Sequence, residues 1–168
     1  MNIFVLDKDP RIAAQMHCDK HVPKMVLELA QMLTTAHHVH ESEPWEGMYK
    51  QAHLNHPCTK WVREHTANYV WAAFHFEALA QQYDKRFGKV HKTWKEQAEY
   101  LMDYPKKMLY MSLCSPFAQA MPDEYKNEDA VKAYRTYYIN DKQRFAKWER
   151  GIDAPDWWKE KVNEIHRA

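Results

Sequence analysis

Residues 19–38 read DKHVPKMVLELAQMLTTAHH, and this stretch decides the fold. On a helical wheel Val22, Met25, Val26, Leu29, Met32, Leu33 and Ala36 fall on one side, the mark of an amphipathic helix with one face for a core. Lys20, Lys24, Glu28, Gln31, Thr35 and His38 form a polar stripe on the other. A strand would instead change sides residue by residue. Pro23 is compatible with the helix because it lies in the first turn, where its missing N–H has no partner to lose.

The same periodicity extends outward in both directions. Upstream, Asp9-Pro10 predicts an N-cap and first helical residue for a short helix through Ile12, Ala13 and Met16. Downstream, residues 39–54 lack a period and read as a loop. Asn55-His56-Pro57 then launches a long helix through Trp61, His65, Tyr69, Phe76 and Tyr83, stopped at Gly88. Thr93 and Glu96 suggest a capping box for a helix ending before Pro105. Residues 104–127 hold Pro105, Pro116 and Pro122 and predict an irregular surface segment with Leu109, Leu113 and Phe117 turned inward. A further helix runs from about Glu128 to Gly151, and Asp153-Ala154-Pro155 starts a last short one through Trp157 and Trp158. Ile3 to Leu6 could form one short strand, but a lone strand has no partner. The expectation is an all-α, compact, single-domain bundle of five to six helices over residues 1–168, with one long irregular surface segment.

Composition narrows the class. Apolar residues make up 45% of the 168 residues and charged ones 28%, so the chain can fold and is not a disordered tail. No apolar run approaches the roughly 20 residues of a membrane span, and Asp7, Lys8 and Asp9 end the N-terminal apolar stretch at once. Three cysteines, Cys18, Cys58 and Cys114, are an odd number without close pairing, which suits a reducing, cytosolic setting. Three isolated glycines leave no Walker A loop or dinucleotide fingerprint, and no serine sits in a GxSxG elbow.

Net charge is only +1, but its distribution is uneven. Lys85, Arg86, Lys89, Lys92 and Lys95 follow one another with no acid among them and with Phe87, His91 and Trp94 interleaved. Such a run can track phosphates while its rings stack on bases, or it can be a solvated helix end. Eleven histidines are concentrated before Phe76. His17, His21, His56 and Cys58 are the right ligand types for a metal-dependent hydrolase or nuclease, although their spacing matches no metal signature, and no bound metal or cofactor is expected. Cys18, between His17 and Asp19, reads as a small residue in a turn between helices or as a reactive thiolate. The polar stripe of residues 20–31 reads either as a solvated face or as one wall of a site. His17 and His21 at the helix start, the Asn55-His56-Pro57 corner and Trp61 and Tyr69 beyond it favour the site, because a carboxylate among cations and aromatic plates suits an anionic substrate with flat rings. The aromatic C-terminal half, with Tyr137, Tyr138, Trp148, Trp157 and Trp158, leaves open a non-enzymatic factor that binds a host protein or nucleic acid.

MNIFVLDKDP, HCDKHVPKMVLELAQML, NHPCTKWVRE, RFGKVHK, PFAQAMPDEYK and AYRTYY together resemble a family of small proteins encoded by tailed bacteriophages, which implies the cytoplasm of an infected bacterial host. The order of a short hydrophobic start, a helix carrying Glu28 and Gln31, and then Asn55-His56-Pro57 is similar to pyrimidine-dimer DNA glycosylases of the phage endonuclease V type. That second resemblance implies an all-α DNA glycosylase and abasic-site lyase whose free N-terminal amine attacks the sugar carbon C1′ with the help of a helix glutamate. Here the amine would belong to Met1, or to Asn2 if Met1 were removed, and the glutamate would be Glu28, with His21 beside it. Lys20, Lys24 and His21 would then hold phosphates and His17, Asn55, His56, Trp61, Arg86, Lys89, His91 and Lys92 would make further DNA contacts, with Trp61 or Tyr69 filling the gap left by an extruded base. An α-amino group titrates at roughly 7.7 to 8.0, against about 10.4 for lysine, so part of it is a neutral nucleophile near neutral pH.

Overall fold

The computed structural model describes residues 1–41 and 45–167, with the side chains of 165–167 excepted. Among the described residues there are seven α-helices: α1 (Pro10–Met16), α2 (His21–His40), α3 (Pro57–Val62), α4 (Thr66–Phe87), α5 (Lys92–Leu101), α6 (Ala130–Lys142) and α7 (Asp156–Arg167). The fold is all-α as expected, with one long irregular segment that contains a single 3-10 turn, Asp123–Tyr125. The helix wheel of residues 19–38 holds: Val22, Val26, Leu29, Met32, Leu33 and Ala36 are wholly buried and Met25 nearly so. One apolar cluster runs from Ile3 to Trp158.

The frame is the antiparallel pair α2 and α4. At one end His37 of α2 meets the Tyr69 hydroxyl of α4 at 2.9 Å, and at the other Arg86 of α4 donates to the His17 carbonyl just before α2 at 2.7 Å. Helix α1 lies on α4, pinned where Trp71 Nε1 donates to the Lys8 carbonyl and His75 Nδ1 to that of Pro10, each at 2.8 Å. Asp9 caps α1 and Pro10 opens it, and Gly88 ends α4 in the left-handed conformation at φ +66°, both as the sequence predicts.

Several local expectations are corrected. Residues 3–6 form no strand; they are buried chain that turns tightly, the Leu6 N–H donating to the Phe4 carbonyl at 2.8 Å. The single helix expected from Pro57 to Phe87 is two, because side chains capture the carbonyls at the break: Asn68 Nδ2 takes that of Trp61 at 2.9 Å and His40 Nε2 that of Arg63 at 2.8 Å. The cap of α5 is His91, whose Nδ1 accepts the Thr93 N–H at 3.1 Å, in place of the Thr93/Glu96 box. Helix α6 stops at Lys142, short of Gly151, because Asp19 takes over the backbone beyond it. The Asp19 N–H donates to the Lys147 carbonyl at 2.9 Å, and the Glu149 N–H donates to Asp19 Oδ2 at 2.7 Å. Residues 143–150 therefore form a hook over the start of α2. Leu109 and Leu113 are 64% and 78% exposed, contrary to expectation. The Thr66 N–H and hydroxyl clamp the backbone at Leu109 and Met111 and leave the 109–113 side chains outside. The expected loop over 39–54 begins at Glu41, and its residues 42–44 lie outside the described residues.

Candidate active site

Glu28 stands on the polar stripe of α2 yet is almost buried, its side chain 11% exposed. A carboxylate in that position needs partners, and it finds them at the start of the chain. The Asn2 backbone N–H donates to Glu28 Oε2 at 2.9 Å, and the Met1 nitrogen lies 3.8 Å from Oε1. Lys24, one helical turn away, brings its Nζ to 3.6 Å from Oε1.

The local sequence explains this grip. Asn2 is buried and tied at both ends of its side chain: Nδ2 donates to the Ala120 carbonyl at 2.8 Å, and Oδ1 accepts the N–H groups of Ile3 and Phe4. The Met1 side chain is only 2% exposed, and its sulfur accepts the Thr59 hydroxyl at 3.3 Å. Met1 as a residue is nevertheless part-exposed, so what it shows to solvent is main chain. Phe4 adopts φ +40°, a left-handed conformation that costs a side chain about 1–3 kcal/mol. That strain sets its ring against His21, with centroids 4.7 Å apart and planes at 28°.

These groups border a cavity of about 510 Å³ lined by Met1, Asn2, Phe4, Lys20, His21, Lys24, Glu28, Tyr137, Lys142, Arg144 and Phe145. Lys20, Lys24, Lys142 and Arg144 face the one carboxylate of Glu28 there, so the cavity carries an excess of positive charge. Lys20 Nζ lies over the Phe145 ring at 4.8 Å and Arg144 Cζ at 5.6 Å, a cation–π arrangement on a shared plate. Lys142 Nζ lies 4.5 Å from the Tyr137 ring centroid, bonds the Tyr137 hydroxyl at 3.1 Å and pairs with Asp141 at 2.6 Å. Burial opposes its charge, but Asp141 and Tyr137 outweigh that and raise its pKa, so it stays a cation.

His21 is neutral at physiological pH. Burial, then the charges of Lys142, Lys24 and Lys20, lower its pKa to about 3. Its Nδ1 has no hydrogen-bond partner among the described residues. It therefore lines the cavity as a polar ring and does not hold a phosphate by charge. His56 is the N-cap of α3. Burial lowers its pKa, and so does the positive charge at the start of the chain, while Glu28 raises it, so it shares the electrostatic neighbourhood of this site. Asn55, next to it, is exposed in the turn before α3.

Other predicted DNA contacts fall elsewhere. His17 is wholly buried, bonded to the Ala13 carbonyl at 2.8 Å, and cannot reach a phosphate. The Arg86 side chain is fully enclosed and spent on Asp19 and the carbonyls of Gln15 and His17. Trp61 is 5% exposed and packed on Trp71 and Phe117, and Tyr69 is buried against His37, so neither is free to fill a gap in DNA. Lys89 and Lys92 are exposed, and His91 is the α5 cap. The metal-ligand set His17, His21, His56 and Cys58 is not brought together; among the described residues no group of three or more His, Cys, Asp or Glu could hold a metal ion. The Cys18 thiol is buried, as a small residue in the turn between α1 and α2 would be. Of the C-terminal rings proposed for a partner, Tyr138 and Trp158 are buried and Tyr137, Trp148 and Trp157 are part-buried in the core. Among the described residues no helix is long and apolar enough to cross a membrane.

The sequence reading did not assign Phe4, Tyr137, Lys142, Arg144 and Phe145 to this site; it gave Tyr137 to a partner-binding surface. A signal for the last three was present: residues 142–150 read KQRFAKWER, cations interleaved with rings just as in 85–95.

Fold and cavity define an all-helical protein with a carboxylate and main-chain nitrogens joined in a cationic pocket. The chain belongs to the pyrimidine dimer DNA glycosylase family, whose model it matches over residues 1–107. No curated protein and no solved structure matches it.

Proposed function

We propose that the chain is a DNA glycosylase with abasic-site lyase activity that acts on a damaged or modified pyrimidine nucleotide. The observation that carries this reading is the meeting of Glu28 with the Met1 and Asn2 nitrogens, at 3.8 and 2.9 Å, in a cavity rich in cations. Either residue as the first of the mature chain would put its amine on Glu28.

The amine nitrogen attacks C1′ of the target nucleotide. A C1′–N bond to the protein forms as the glycosidic bond breaks, and the electron pair leaves on the pyrimidine. Glu28 stabilises positive charge developing on the sugar and takes the proton released by the amine. Opening of the sugar ring gives a protonated imine, the ring oxygen taking up a proton. Loss of a C2′ proton then expels the 3′ phosphate and cuts the strand, and water returns the free amine. Lys20, Lys24, Lys142 and Arg144 bind phosphates flanking the target, which must leave the base stack to reach the cavity. His21 and Phe4 give the cavity a flat wall for a base or sugar. Residues 1–168 act as one domain in this reading, because residues 1–28 and 137–145 line the same cavity. We take the setting to be the cytoplasm of an infected bacterium, following the phage likeness of the sequence.

Borohydride trapping tests the mechanism. On DNA with an abasic site or a pyrimidine dimer, reduction should give a covalent adduct that maps to the first peptide of the chain and disappears when the amine is acetylated. No adduct, or one indifferent to acetylation, overturns it.

A further inference from the structure

A second cavity of about 330 Å³ adjoins the first, between the start of α2, the end of α4 and the 143–150 hook. It shares Lys20 and Phe145 with the first, so the two are continuous across one cation–ring pair. Its carboxylates already have partners: Asp19 holds Arg86 at 3.1 Å and the Glu149 N–H at 2.7 Å, and Glu149 lies 3.5 Å from Lys147. Arg150 lies over the Phe87 ring with Cζ 4.4 Å from its centroid, repeating the arrangement of Lys20 and Arg144 on Phe145. Lys20, Arg144, Lys147 and Arg150 are all exposed. At the far rim His91 meets the backbone of Pro23, which brings up Lys89 after α4 and Lys92 at the start of α5.

We propose that this second cavity is a strand track: it carries the DNA strand that flanks the target nucleotide, with Arg150 and Lys147 on its phosphates and the Phe87 and Phe145 rings beneath the cations, holding Arg150 and Lys20 in place. A flexible strand with charged links requires cations spaced along its path, and a ring beneath a cation holds it in position. Charge complementarity selects DNA as the occupant: with Asp19 answered by Arg86, the wall sets Lys20, Lys147 and Arg150 against Glu149 alone among the described residues. Arg144, Lys147 and Arg150 lie beyond residues 1–107, the part that matches the family. The track is thus built by this chain's own hook. It rests on the proposed DNA substrate and adds where the strand runs.

The test measures binding of a fluorescent duplex carrying a tetrahydrofuran abasic analogue, as a function of salt, for the full chain and for the double variant Lys147→Gln/Arg150→Gln. Each lost phosphate contact lowers the slope of log affinity against log salt by about 0.9, so the double variant should lose roughly 2 from the slope and bind at least tenfold more weakly at low salt. Lys132→Gln, an exposed change near the opposite end of α6, should lose neither. An unchanged slope in the double variant, with borohydride trapping by the unaltered chain intact, overturns the track alone. A reduced slope without any trapping keeps the track and overturns the imine mechanism. No DNA binding by the unaltered chain overturns both.

Discussion

Two charged clusters flank the start of α2, built from similar residues and put to opposite use. In one, Arg86 is enclosed, its guanidinium donating to Asp19, Gln82 and the carbonyls of Gln15 and His17. The donors on its three nitrogens are met by protein. In the other, Glu28 is grasped by Asn2 and Met1 on one side, while four cations face the open cavity, with Glu28 and the neighbouring Asp141 the carboxylates paired with them among the described residues. Balanced charge closes the first cluster and locks α4 to the α1–α2 turn. Surplus charge in the second is the mark of a site that expects an anion.

The contrast can be broken at either cluster. Glu28→Gln should cut borohydride trapping by about 10²–10⁴-fold while leaving thermal stability nearly unchanged, since the amide oxygen still accepts the Asn2 N–H; trapping at the normal rate would refute a catalytic Glu28. Arg86→Met should do the reverse, costing about 3–5 kcal/mol in urea unfolding by leaving part-buried Asp19 and the carbonyls of Gln15 and His17 without their donor, with trapping retained by the fraction that folds. If Arg86→Met abolished trapping in a fully folded protein, the division of labour would be wrong.

Acid sharpens the picture further. Burial holds His75 down at about 4 and His21 at about 3, whereas the unfolded chain protonates them near 6.5. The unfolded state therefore binds protons first as pH drops, and stability is lost between about pH 6.5 and those values. Each histidine should cost roughly 2 kcal/mol by pH 5, and unfolding midpoints that stay flat from pH 7 to 5 would show the rings reach solvent. The smallest effect belongs to Lys24, which is 63% exposed. Lys24→Gln should change stability by no more than about 0.5 kcal/mol but weaken DNA binding several-fold, measured by anisotropy; equal binding would remove Lys24 from the phosphate set.

Much of the frame was legible because it depends on local rules. The α2 stripe, the Asp9-Pro10 start and the Gly88 stop follow from periodicity and capping alone. What failed involved distant competition for backbone groups. Nothing near residue 143 says that Asp19 will seize the chain there and end α6, and nothing near Leu109 announces the Thr66 clamp. The site divides likewise. Glu28 stood out as an acid among cations, but Arg86 and His17 looked like ligands for phosphate until the folded α4 enclosed them. Lys142 and Arg144 lie more than a hundred residues from Glu28, and only the folded chain brings them to it.

The seating of Met1 also bears on how the protein is handled. With its side chain tucked beneath Thr59, any purification tag joined ahead of it would turn the amine into an amide and have to exit by the cavity mouth. Material prepared that way could not form the proposed imine. A tag carried after α7 leaves the doorway clear.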